Sequence, residues 1–133
     1  MRLVMRSLGL IAGLLFLVVG LELIASESGE VVVLVTTDES GQPHETRLWV
    51  VDEAGKQWLR AGNPKSGWLL HIQKNSAVEV ERNGQRAGYA AVPIADVRDQ
   101  INPLFAEKYG WADAYIGALF GRDDATPIRL DPR

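Results

Sequence analysis

The chain has 133 residues, a formal net charge of −3 and no cysteine. That length suits one domain, and the acidic balance argues against a nucleic-acid partner, because neutralising phosphates needs a basic face. Without thiols there are no disulfides, no cysteine nucleophile and no thiolate-held metal centre.

Leu8 through Leu21 are apolar or glycine throughout, with Arg2 and Arg6 ahead of them and Glu22 behind. Counted from Leu3 to Ala25, with Arg6 and Glu22 reaching to opposite headgroup layers, the run is long enough for a span of about 20 residues. We therefore expect an N-terminal transmembrane helix over residues 1–25, retained as an anchor in the lipid bilayer, and one domain over 26–133. A cleaved signal peptide is the first alternative, although a cut after Ala25 would set Leu23 at the −3 position, where a small residue belongs. The second is a buried soluble helix, for which a run this apolar on every side is unusual in so small a domain. Glu22, Glu27, Glu30, Asp38 and Glu39 follow, and Arg47 is the first basic residue after them. The positive-inside rule then places the N-terminus in the cytoplasm and the domain outside.

Glu30 to Thr37 is β-branched and apolar on both faces, as in a buried strand. Turn chemistry at 38–42 leads to a second strand over His44–Val51, and a turn at 52–56 to a third over Gln57–Ala61, a meander. Gly62 to Gly67 breaks the pattern. Ser66 is placed to cap a helix from Trp68 to Lys74. Ala77–Arg82 alternates, Asn83-Gly84 is a strong hairpin signal, and Gln85–Val92 returns as its partner.

Beyond Pro93 the period becomes helical, with Val97, Ile101, Leu104, Phe105 and Tyr109 on one face and Gly110 as the stop. Pro103, behind Asn102 as a cap, predicts a second helical piece. Trp111–Phe120 suits another short helix, and Thr126–Leu130 a last edge strand. Together these predict an α+β fold: a small split antiparallel β-barrel of about six strands with one to three short helices. Closure removes the exposed edges, and a β-sandwich is the alternative.

No nucleophile elbow, phosphate loop or zinc-protease motif occurs. His44 and His71 lack neighbours at metal-ligand spacing, so no metal is expected. Tyr89, Tyr109 and Tyr115 could donate protons by chemistry alone, and each also suits a core aromatic with a wet hydroxyl. The segment Arg60 to Trp68 stands apart, with two cations, two glycines, a helix start and an indole. Helix N–H groups beside Lys65 suit an anion, and Arg47 and Trp49 share one face of the preceding strand. The plainer reading is a polar connecting loop with Trp68 in the core.

The order of Val33–Thr37, Arg47–Val51, Gly62–Trp68, Asn75–Val80 and Ile128–Arg133 resembles the split β-barrel proteins of the nitroreductase/quinone reductase group. These are relatives of the pyridoxamine-phosphate oxidase-like flavin- and deazaflavin-binding barrels. Phe105–Gly110 with the closing segment is similar to an uncharacterised branch of that group. The resemblance covers roughly residues 30–133 and implies a cofactor, FMN or deazaflavin, in a cleft beside the barrel. Lys65 and Trp68 would match the family's anion-binding loop, and Arg47 to Val51 the strand lining the ring system. The implied cofactor-binding set is Arg47, Trp49, Arg60, Gly62, Asn63, Lys65 and Trp68, with no catalytic residue named. The implied chemistry is hydride transfer to a quinone-type acceptor, which a membrane anchor would suit, and barrels of this kind often pair as homodimers. The loop carries fewer basic residues than a multiply charged deazaflavin tail calls for. The other reading is a non-catalytic ligand-binding or dimerisation module.

Overall fold

The computed structural model describes residues 2–26, 29–121 and 123–133. It has an α+β architecture in which one antiparallel sheet curls around a core. In chain order the elements are α1 (Arg2–Ser26), β1 (Val31–Thr37), β2 (Pro43–Trp49), β3 (Val51–Glu53), β4 (Lys56–Ala61), α2 (Gly67–Lys74) and β5 (Ala77–Arg82). Then come β6 (Gln85–Pro93), a 3-10 turn (Ala95–Val97), α3 (Arg98–Tyr109), α4 (Trp111–Phe120) and β7 (Thr126–Pro132).

The strands lie in the order β2-β1-β5-β6-β7-β4-β3. The two edges, β2 and β3, are consecutive in the chain and separated only by Val50. The expected second strand over 44–51 is therefore two strands. Up to Trp49 it pairs with β1, and from Val51 it pairs with β4 at the far end of the sheet. The expected meander is corrected at the same point, because β2 has no ladder with the strand that follows it. A single backbone step joins the edges, so the curled sheet is split along that line. The hydrophobic pattern could not show this break, since Val50 and Val51 are both buried and read as one apolar run.

One tight turn follows directly from its residues. Asn83 and Gly84 both have positive φ, 53° and 76°, as a two-residue hairpin requires. Their hairpin pairs Arg82 with Gln85.

Side chains alternate between two apolar layers. Val32, Leu34, Leu59, Val78, Val80, Ile128 and Leu130 fill the inside of the curl, and Leu69 and Ile72 of α2 close it. On the outer face, Val51 and Trp58 meet Ile101, Phe105 and Tyr109 of α3. Within β4, Leu59 and Ala61 point inward while Trp58 joins the outer layer.

Three further expectations are corrected. Helix α3 runs unbroken through Pro103, because docking of Ile101, Phe105 and Tyr109 outweighs one missing backbone bond. Strand β7 is interior, paired with both β6 and β4. Ser66 stands at the N-cap of α2 but makes no capping bond. Its hydroxyl donates instead to the Asn63 carbonyl at 2.7 Å.

Within α1, Arg2–Leu21 is long and apolar enough to cross a membrane by length and composition, and none of it is buried. The expected acidic flank at Glu22 and Glu27 lies outside the described side chains.

Candidate functional site

The sequence-predicted residues fall into four groups. Arg47 and Trp49 are on one face of β2, and the Trp49 indole stacks on the Tyr109 ring with centroids 4.3 Å apart. Arg60 is buried beneath α3 and α4. Its Nη2 meets Asp113 Oδ1 at 2.5 Å, Nη1 donates to Asn102 Oδ1 at 3.4 Å, and the guanidinium lies 4.3 Å from the Phe105 ring centre. Gly62, Asn63 and Lys65 are exposed in the loop before α2. Trp68 packs on the inner layer together with Leu48. Leu48 precedes Trp49 in the strand and so faces the other way. The geometry thus keeps the loop and Trp68 apart from the face of Arg47 and Trp49, and it gives the Arg60 charge to Asp113.

The loop has a defined shape. Asn63 Oδ1 accepts the Lys65 N–H at 2.8 Å, and the Asn63 carbonyl accepts the Ser66 N–H at 3.0 Å. With the Ser66 hydroxyl turned back onto Asn63, the first turn of α2 lacks a side-chain cap, and Lys65 stands exposed beside it. A Cβ on Gly62 or Gly67 would meet nothing within 4 Å, so the backbone is approachable from outside.

Alongside α2 runs a groove of about 450 Å³, lined by Gly67, Leu70, His71 and Lys74 and by Thr37–Ser40 of the β1–β2 turn. That volume is within the range of small-molecule sites. His44 and His71 are 27 positions apart in the sequence, and the fold brings them together here. His71 Nδ1 is 2.9 Å from Oγ1 of the fully buried Thr36. The His44 and His71 ring centroids are 4.8 Å apart, and His44 Nε2 donates to Asp38 Oδ2 at 2.8 Å. That bond, with those from Ser40 and Gln42, holds the Asp38 carboxyl well below the usual carboxylate range. Lys74 pairs with Glu39 across the groove mouth and lowers the Glu39 carboxyl. Thirty-five residues separate Thr36 from His71, so no local motif signalled the cluster.

A second cavity of about 610 Å³ opens where α3 crosses the outer face, lined by Lys56, Trp58, Gln100, Ile101, Leu104 and Arg129 among others. Trp58 Nε1 is buried there without a hydrogen-bond partner among the described residues.

The three tyrosines are structural hydrogen-bonding groups. Tyr109 OH accepts the Val50 N–H at 3.0 Å and donates to the Glu30 carbonyl at 2.6 Å. Tyr89 OH accepts from Gln57 Nε2 at 2.9 Å, and Tyr115 OH donates to the Val18 carbonyl at 3.0 Å.

Residues 19–115 match the family described as F420H(2)-dependent quinone reductase. No protein of curated function matches the chain. Among solved structures, a protein of unknown function from Agrobacterium tumefaciens is 16% identical with a TM-score of 0.64, over 81% of this chain and 50% of that one. This chain thus spans half the length of that relative. A structure described as an F420-H2 dependent reductase is 23% identical with a TM-score of 0.62, over 77% of this chain and 94% of its own. A protein from Listeria innocua described as a pyridoxamine 5′-phosphate oxidase is 13% identical with a TM-score of 0.60, over 84% of this chain and 90% of its own. At these identities the likeness is one of fold, that of the split barrel.

Proposed function

Because the chain belongs to the F420H(2)-dependent quinone reductase family, we propose that it is a deazaflavin-dependent oxidoreductase, held at a bilayer by α1, that reduces a quinone-type acceptor. The family name carries the choice of deazaflavin over FMN. The start of α2 beside Lys65, without a side-chain cap, and the groove of about 450 Å³ that runs along the same helix from Gly67 are the observations that support a cofactor there.

The residues fit such a group by their chemistry. N–H groups of an uncapped helix start and a flanking ammonium favour phosphate or carboxylate. Gly62 and Gly67 leave room for close approach. When bound, the deazaflavin supplies the hydride. The chain's own part is to hold and orient, with Lys65 and the first turn of α2 on the anionic end and Leu70 giving an apolar wall. A quinone that takes up hydride also needs a proton. His71 lines the groove with Nδ1 fixed by Thr36, so its imidazole is the group placed to supply one, with the His44–Asp38 pair packed against it. Trp49, stacked on Tyr109, and Arg60, paired with Asp113, support the fold on the far side of the sheet.

The test is fluorescence titration of the full chain in detergent or nanodiscs with the deazaflavin cofactor and with FMN, followed by quinone reduction with reduced cofactor. Preferential deazaflavin binding and turnover would support the reading. Binding of neither compound would overturn it and leave a non-catalytic barrel.

A further inference from the structure

The reductase reading leaves the outer surface of α4 without a role. We infer that α4 lies in the headgroup–acyl boundary of the bilayer crossed by α1, so that the chain grips the membrane with one span and one helix lying flat. This rests on the reading of α1 as an anchor.

Composition is the first support. The exposed positions of α4 are Trp111, Ala114, Ala118, Leu119 and Phe120, with no polar or charged side chain among them. Trp111 is 56% and Phe120 63% exposed. The one charged residue of the helix, Asp113, is turned inward to Arg60. Trp111, Ala114, Ala118 and Leu119 lie within one arc of the helix and Phe120 stands at its C-terminal end, and an exposed apolar surface without a single charge is poorly suited to water. It suits a helix lying in an interface, where an indole near one end is at home at headgroup level.

Depth is the second support, and it is independent of composition. Helix α4 packs against α1, and Tyr115 OH donates to the Val18 carbonyl at 3.0 Å. Val18 lies inside the apolar segment Arg2–Leu21. At about 1.5 Å per residue, it sits roughly 4–5 Å within the Leu21 end of that segment. An α1 that crosses the bilayer therefore carries α4 down to the edge of the hydrocarbon layer. A charged helix would resist that position, and α4 presents no charge to it. Geometry and composition converge on a lipid surface as the occupant.

The chain has no cysteine, so single cysteines can carry an environment-sensitive fluorophore. Phe120→Cys and Trp111→Cys test α4, Leu14→Cys reports on α1, and Glu53→Cys marks an exposed position in β3. The full-length variants are labelled and reconstituted in phosphatidylcholine–phosphatidylglycerol vesicles, with nitroxide-labelled lipid or aqueous iodide as quencher. Loss of emission with nitroxide lipid at positions 120, 111 and 14, with iodide quenching only at 53, is the expected result. Lipid quenching at 14 with iodide quenching at 120 and 111 would overturn the placement of α4 while the anchor stands. Iodide quenching at 14 as well would remove the anchor and the inference with it. Energy transfer between copies at 120 without lipid quenching would assign the face to a second copy of the chain and overturn the lipid surface.

Discussion

The phenolic oxygen of Tyr109 accepts the backbone N–H of Val50 at 3.0 Å. Val50 is the one residue between β2 and β3, where the chain leaves one edge of the sheet for the other and so loses its ladder partners. A side chain 59 positions away supplies the missing acceptor, and Lys108 Nζ donates to the Val50 carbonyl at 2.7 Å. The split in the barrel is thus satisfied by the end of α3. Gly29 approaches the same ring, since a Cβ there would lie 3.2 Å from it.

Tyr109→Phe leaves a fully buried N–H without its partner. A loss of about 1–3 kcal/mol is expected, read as a lowered thermal midpoint of the full chain in detergent. Tyr89→Phe, whose hydroxyl meets the Gln57 side chain among the described residues, should cost about 1 kcal/mol or less. Equal effects from the two would show that the Val50 contact has no special weight.

Arg60 and Asp113 have side chains only 5% and 10% exposed. Asp113→Ala would remove the carboxylate 2.5 Å from a nearly buried guanidinium, at a cost of up to about 3–5 kcal/mol. Arg60→Met together with Asp113→Leu should recover most of that loss. A double-mutant cycle on thermal stability measures the coupling. An additive result would mean that the pair stabilises nothing beyond its parts.

Glu30 accepts from Arg82 and Lys108, and these bonds lower its carboxyl from 4.5 to about 2. A carboxyl depressed on folding contributes stability that is fully present above its unfolded value, and it is lost as pH falls from about 4.5 towards about 2. The shift corresponds to at most about 3 kcal/mol, and solvent at a side chain 27% exposed reduces it. Thermal midpoints from pH 6 down to pH 2.5 should fall less steeply in Glu30→Gln than in the parent. Parallel slopes would rule out this carboxyl as a contributor.

Lys65→Ala removes the cation beside the start of α2. Deazaflavin affinity should fall by about 1.5–3 kcal/mol, roughly 10- to 150-fold, if that ammonium meets an anionic group. The folded state should be unaffected, because Lys65 is exposed. Unchanged affinity with intact turnover would move the anionic end of the cofactor elsewhere on the barrel.

Local chemistry was enough to read much of this chain from its residues. Asn83-Gly84 wrote its own hairpin, Ile101, Phe105 and Tyr109 declared the face of α3, and the apolar run Leu8–Leu21 marked α1. Each rests on periodicity or turn geometry within a few residues. The order of segments from Val33 to Arg133 further carried the resemblance to the split barrels. Only the tertiary structure decided the break at Val50, the interior place of β7, the continuity of α3 through Pro103 and the meeting of His44 with His71. It also gave Arg60 to Asp113 and turned Trp68 away from Trp49. All of these depend on partners far apart in sequence, where pairing across the sheet and burial between layers outweigh any local preference.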